Sequence, residues 1–133
     1  MDVHSRKVRS KNMAAIKSKN TKPELAVRKY LFSLGFRYRI HCKSIPGKPD
    51  ISNKKKKIAI FINGCFWHSH NKCKYAVLPK TRTKWWKNKL NDNKKRDKRN
   101  YNSLKSIGWN VLIIWECEIK NTRFIEKVNN FLN

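Results

Sequence analysis

Ile58-Ala59-Ile60-Phe61-Ile62 is the stretch on which the fold turns. Five apolar residues in a row cannot alternate a wet and a dry face. They therefore predict a strand covered on both sides, the kind found at the centre of an α/β sheet. On the C-terminal side, Asn63 to Pro79 has no clear period. Thr83 to Ile107 reads as a long polar helix, with Leu90, Leu104 and Ile107 inward and Gly108 as its stop. Trp109 to Trp115 predicts a second buried strand, and a closing amphipathic helix carries Phe124, Val128 and Phe131. On the N-terminal side, a basic turn spans Ser52 to Lys57, Ile51 lies at a strand start, and Pro46-Gly47-Lys48-Pro49 is a turn. Phe36, Tyr38 and Ile40 alternate with Arg37, Arg39 and His41, the pattern of a half-buried strand. Before it stands a marked helix start: Thr21 as cap, Pro23 in the first turn, and Glu24 at capping-box spacing. Val27, Leu31 and Leu34 follow at helical spacing and Gly35 ends the run. Residues 1–20 read as a basic arm with a short helix around Arg9–Lys17 that carries Met13 and Ile16.

The order helix–strand–strand–helix–strand–helix predicts an α/β fold: one domain over residues 21–133, with a mixed central sheet flanked by helices, preceded by the arm. A chain of 133 residues suits one core, and 39% hydrophobic residues supply it. Charge is the outstanding feature of the composition. Thirty-three Lys and Arg against eight Asp and Glu leave a formal charge of +25. Such a field favours a polyanionic partner, nucleic acid first among them. A lysine-rich composition bias, suggested by the many Asn, Lys and Ile residues, accounts for part of it too. The charge says nothing of chemistry. No apolar stretch reaches the roughly 18–20 residues of a membrane span, and Met1 to Lys11 lacks the apolar core of a signal peptide. A cytosolic protein is expected, and there four cysteines read better as metal ligands or free thiols than as two disulfides.

Cys65, His70 and Cys73 stand in a Cys-x4-His-x2-Cys arrangement, and Cys117 follows the strand that ends at Trp115. Three thiolates and one imidazole make a closed tetrahedral set of the kind structural Zn²⁺ prefers. The surrounding stretch has little apolar material of its own, so zinc would supply its folding energy, on the order of 10 kcal/mol. The alternative leaves Cys65 and Cys117 as ordinary buried thiols and His70 on the surface. Cys42 has no partner in this scheme and reads as a buried thiol.

Several of these strings together resemble one family. They are Arg9-Ser10-Lys11-Asn12-Met13, Pro46-Gly47-Lys48-Pro49-Asp50, Phe61-Ile62-Asn63-Gly64-Cys65-Phe66-Trp67-His68, Thr81-Arg82-Thr83 and Trp115-Glu116-Cys117. The chain is similar, from about Val3 to Asn121, to the bacterial very short patch repair (Vsr) endonucleases. The resemblance implies the restriction-endonuclease-like fold. It implies nicking of double-stranded DNA beside the thymine of a T·G mismatch left by 5-methylcytosine deamination, with catalytic Mg²⁺ and a separate structural Zn²⁺. It maps the Mg²⁺ ligands to Asp50 and the main-chain carbonyl of Ile62, the general base to His68, and a water-mediated support to Glu24. For Glu24, the capping-box role stands beside that one.

The resemblance further maps an aromatic wedge for the base stack to Phe66, Trp67 and Trp86, with Trp85 as a second candidate beside Trp86. Met13 matches a residue that enters the opposite groove, against a plain helix-face contact. Core packing is the competing reading for the aromatics, and it is the expected one for Trp109 and Trp115. The sequence departs from the family at two points. Asn63 stands where many members have a second active-site histidine, and an amide cannot accept and return a proton. The ligand loop Ser69-His70-Asn71-Lys72-Cys73 is one residue longer than the family pattern. Three functions remain in view: a mismatch-directed nickase acting as a monomer alongside repair-protein partners, a related Mg²⁺-dependent endonuclease without mismatch preference, and a non-catalytic zinc-stabilised DNA-binding protein.

Overall fold

The structure, a computed structural model, describes residues 21–133. The basic arm, with Met13 and the helix expected around it, lies outside the described residues.

Helix α1 (Lys22–Ser33) begins as its sequence dictates. The Thr21 hydroxyl accepts the Glu24 N–H at 3.4 Å, and Pro23 occupies the first turn. It ends in a Schellman turn. Gly35 takes φ +74°, its N–H reaches the Phe32 carbonyl at 3.0 Å, and the Phe36 N–H reaches that of Leu31 at 3.1 Å. Phe36 is thereby buried against Leu31 and is not part of a strand. Leu34, expected inward, is the C-cap residue and lies 47% exposed.

Four strands follow in the spatial order β1-β2-β3-β4: β1 (Arg39–Ile40), β2 (Ile51–Asn53), β3 (Ile58–Asn63) and β4 (Asn110–Trp115). The first three pair antiparallel, while β3 and β4 run parallel in continuous register from Ile58↔Asn110 to Asn63↔Trp115. A parallel pair needs a long crossover, and α2 (Thr83–Ser106) supplies it. β1 is shorter than the alternation of Phe36 to Ile40 suggested. It is an edge strand, His41 turns out of it at φ +50°, and Ile40 stays exposed.

The apolar run of β3 is covered on both faces, as its composition requires. Ile58 and Ile60 join Val27 and Leu31 of α1 and Phe124 and Val128 of the last helix, α4 (Phe124–Leu132). Ala59 and Phe61 point the other way, onto Leu104 and Tyr101 of α2. The molecule is thus three layers: α1 and α4, the sheet, then α2. Leu90 and Leu104 of α2 are buried as expected, but Ile107 lies past the helix end and is 53% exposed.

A short helix, α3 (Glu116–Lys120), was not foreseen. It starts directly off β4, with the Glu118 carboxylate accepting the Trp115 N–H at 2.8 Å. Cys42 is half-buried beside the second cluster rather than buried, with its sulfur 3.2 Å from Ser44 Oγ.

Leu104 is fully buried and ties α2 to the sheet. Leu104→Ala is therefore expected to lower stability by about 2–5 kcal/mol. Urea unfolding checks this as a lower midpoint at unchanged slope.

Candidate active site and metal centre

The turn Pro46-Gly47-Lys48-Pro49 aims the chain into β2. Gly47 has φ +79°, and a Cβ there would lie 2.9 Å from Asn100 Cβ and 3.2 Å from the Phe61 ring, so only glycine lets this turn pack on α2. The next residues are buried Pro49 and then Asp50, whose Oδ2 accepts the main-chain N–H of Ile62 on β3 at 2.7 Å. Desolvation pushes the Asp50 carboxyl up to about 7. The Ile62 N–H pulls it back only in part, and the nearby Glu24 carboxylate pushes it further up.

An open groove of about 670 Å³ runs over this point. Its walls include Glu24, Asp50, Ile62, Asn63, Trp67 and His68, together with Asp97 and Arg96 of α2. The sequence-predicted catalytic and cation-holding residues are thus gathered in one place from α1, the β1–β2 turn, β3 and the loop after it. His68 Nδ1 lies 2.5 Å from Asp97 Oδ2. Asn63 is buried and donates its amide to the Tyr101 hydroxyl at 2.8 Å. Glu24 is also buried. Its carboxylate takes Arg28 at 2.8 Å and lies 3.2 Å from His41 Nε2, so this side chain faces the site rather than only closing a capping box.

Asp97, Arg28 and His41 escaped the sequence reading. Asp97 had a faint signal, an acid inside the basic run Lys94 to Arg99. It stands four residues after Asn93 and four before Tyr101 on the site face of α2. Asn93 itself is buried, and its amide nitrogen donates to the Trp67 carbonyl at 3.2 Å. One face of α2 therefore holds the loop, His68 and Asn63.

The four expected metal ligands converge. The ligand atoms of Cys65, His70, Cys73 and Cys117 all lie within 4.8 Å of one another. Cys65 is buried, and it also accepts the Cys117 N–H at 3.4 Å. His70 donates its backbone N–H to the Cys65 carbonyl at 2.9 Å and stacks its ring on Trp115, with centroids 4.1 Å apart and planes at 10°. Trp115, expected in the core, is half-buried and serves as the wall that orients this imidazole. The Cys65 thiol is pushed up to about 12, first by burial. A bound cation is what would stabilise its thiolate. The donor set, with three sulfurs and one nitrogen closed around a common point, fits a tetrahedral ion such as Zn²⁺. Within this loop Ser69 and Lys72 take left-handed backbone, at φ +52° and +55°.

Phe66, Trp67, Trp85 and Trp86 form one aromatic cluster. Trp86 is its hub, with ring centroids 5.4 Å from Phe66, 5.8 Å from Trp67 and 4.8 Å from Trp85. Trp67 and Trp85 remain about half exposed, 49% and 46%. The cluster therefore presents indole surface to solvent at the rim of the groove that Trp67 lines. No helix among the described residues is long and apolar enough to cross a membrane.

Comparison with known proteins agrees with this picture. The family model described as DNA mismatch endonuclease Vsr matches residues 1–74. The chain is 41% identical over 122 residues to the type II nicking enzyme V.XorIIP of Xanthomonas oryzae pv. oryzae, covering 91% of this chain and 89% of the relative. It is 47% identical over 120 residues to the type II nicking enzyme V.NmeAIP of Neisseria meningitidis, covering 90% and 85%. It is 40% identical over 119 residues to DNA mismatch endonuclease Vsr of Escherichia coli, covering 90% and 76%. With relatives this similar along nearly its whole length, the chain belongs to the Vsr family of DNA mismatch endonucleases.

Proposed function

We propose that this protein is a DNA endonuclease that nicks one strand beside the thymine of a T·G mismatch, using a divalent cation of the Mg²⁺ type. The observation that carries the reading is the groove in which a desolvated Asp50, a His68–Asp97 pair and the half-exposed Trp67 indole lie side by side. The described domain is read as restriction-endonuclease-like, and Met13, outside the described residues, is read as a DNA-contacting residue. The protein is read as a monomer of the bacterial cytosol, since a single nick needs one active site.

The residues divide the work as follows. Asp50 and the Ile62 carbonyl would hold the cation, with Glu24 supporting it through water. A half-buried carboxylate that resists ionisation gains most from a cation beside it. When bound, Mg²⁺ supplies positive charge against the scissile phosphate and eases deprotonation of the attacking water. His68 takes that proton. With Nδ1–H donated to Asp97, its Nε2 carries the free lone pair, and the carboxylate fixes the ring and stabilises the imidazolium that forms. Asn63 offers an amide to hydrogen-bond but no proton shuttle, so His68 is the single base.

Zn²⁺ held by Cys65, His70, Cys73 and Cys117 would do no chemistry. It would fasten the irregular loop that carries Phe66, Trp67 and His68 to the end of β4. Phe66 and Trp67, backed by Trp86 and Trp85, form the wedge. Unstacking a base step costs a few kcal/mol and costs least at a mismatch, so insertion itself favours mispairs. Several relatives are named type II nicking enzymes, which favours one second reading: a nickase without mismatch preference.

The deciding experiment compares a labelled duplex carrying one T·G mismatch with its fully paired twin, with Mg²⁺ and with EDTA. A Mg²⁺-dependent nick in one strand beside the thymine, at least ~10-fold faster on the mismatch, is expected. Equal cutting of both favours the second reading, and tight binding without cutting contradicts both. Phe66→Ala with Trp67→Ala is expected to erase the mismatch preference, measured as the ratio of the two nicking rates.

Cys117→Ser is expected to reduce zinc content well below stoichiometric and to slow nicking, with loss of near-ultraviolet circular dichroism from the loop tryptophans. For Asp50 the sign follows from its titration. Between the ordinary value of 3.8 and about 7, the folded chain keeps a proton that the unfolded chain has released. The cation-free protein therefore loses stability as pH rises through that range. Asp50→Asn removes the loss. At pH 8 without divalent ions this variant is expected to be more stable than wild type by on the order of 1–3 kcal/mol, at pH 3 about equal, and catalytically dead. Denaturation curves at the two pH values check it.

A further inference from the structure

On the α1 side of Asp50, three more groups converge. Arg28 stands one helical turn after Glu24, and its Nη2 lies 2.8 Å from Glu24 Oε2. The same nitrogen lies 3.0 Å from His41 Nε2. His41 is delivered by its left-handed backbone at the end of β1, with its N–H bonded to the Asp50 carbonyl at 3.2 Å. The donor atoms of Glu24, His41 and Asp50 all fall within 4.8 Å of one another. Two carboxylates and an imidazole at that spacing are an ordinary donor set for a divalent first-row metal such as Mn²⁺. A positively charged nitrogen already sits against two of the three.

We infer that Arg28 holds the place of a second divalent cation, so that this active site loads one ion, at Asp50 and Ile62, and not two. The inference rests on the reading that Asp50 holds the first ion. Many phosphodiester-cleaving sites set two ions about 3.5–4 Å apart. Here Glu24 and His41 are already bonded to a guanidinium, and the Arg28 and Glu24 side chains are only 12% and 4% exposed. An ion entering there would have to part a desolvated pair and then sit beside the displaced charge, both unfavourable. The covalently attached cation neutralises Glu24 without exchange, leaving Asp50 as the one carboxylate in the cluster that is open to an ion. Removing the guanidinium should turn the same three donors into a metal site.

The test counts Mn²⁺ bound to the zinc-loaded, DNA-free protein, by calorimetry and by the electron paramagnetic resonance of the free ion. The wild type is expected to bind one Mn²⁺ and Arg28→Met two. Arg28→Lys, which keeps a charge in place, is expected to bind one. Arg28→Met combined with His41→Ala should return to one, since the second site has lost its nitrogen. If Arg28→Met does not fold, Arg28→Gln carries the same expectation of two. Two ions on the wild type, or still one on the folded Arg28→Met or Arg28→Gln variant, overturn the inference. Asp50→Asn in the wild-type background separates the two levels: at least ten-fold weaker Mn²⁺ binding supports the first site. A wild-type count of zero contradicts the Asp50 reading itself, and the inference falls with it.

Discussion

One hydrogen bond organises the working end of this molecule: the Ile62 N–H donated to Asp50 Oδ2 across the β2–β3 hairpin. It draws a carboxylate out of water at the point where the central strand emerges from the core. The fold builds toward that contact from both sides. The glycine turn at Gly47 needs the bare backbone to lie against α2, and β3 needs a helix on each face to be stable. A single N–H compensates the buried charge only in part, and the neighbouring Glu24 opposes it. The carboxylate is therefore held near its ionisation midpoint at neutral pH, and a cation beside it would favour the charged form.

Around that contact, the candidate base and the exposed aromatic rings hang on a segment with no helix or strand, residues 64–82. Such a segment cannot hold His68 within hydrogen-bonding reach of a reacting atom by itself. Three fastenings do so. Asn93 grips the Trp67 carbonyl, Asp97 grips the imidazole, and the Cys65-His70-Cys73-Cys117 cluster ties the loop to the start of α3. Trp115 stands between the two imidazoles, stacked on His70 and 6.4 Å, edge-on, from His68. The candidate metal centre and the candidate base thus share one wall.

The central layers were legible in the sequence because their signals are local. Five apolar residues in β3, the capped start of α1 and the Gly108 stop of α2 each carry their own period or punctuation. The convergence of Cys65, His70, Cys73 and Cys117 was legible because thiolates and imidazoles at short spacing have few other uses in a small chain. The edge was not. Phe36 to Ile40 alternates like a strand, but a helix-ending turn claims Phe36 and a left-handed His41 cuts the pairing to two residues. Leu34 and Ile107 have helical spacing yet fall at the ends of their helices, where no facing element remains to cover them. Asp97, Arg28 and His41 were invisible for another reason. Each acts through a partner on another turn or another element, and a charged residue in a chain of +25 looks like surface until its partner is placed. The roles proposed for Asp50 and His68 came from the resemblance to the Vsr endonucleases. The geometry around them comes from the fold.

The proposed cation site depends on Asp50 being a carboxylate that the fold keeps half-ionised until a cation joins it. Its titration in the cation-free protein, followed by the side-chain ¹³C carboxyl resonance, tests this most directly. The account predicts a midpoint near pH 7, moving down when Mg²⁺ is added. A midpoint near the ordinary carboxylate value of 3.8, insensitive to Mg²⁺, would contradict it.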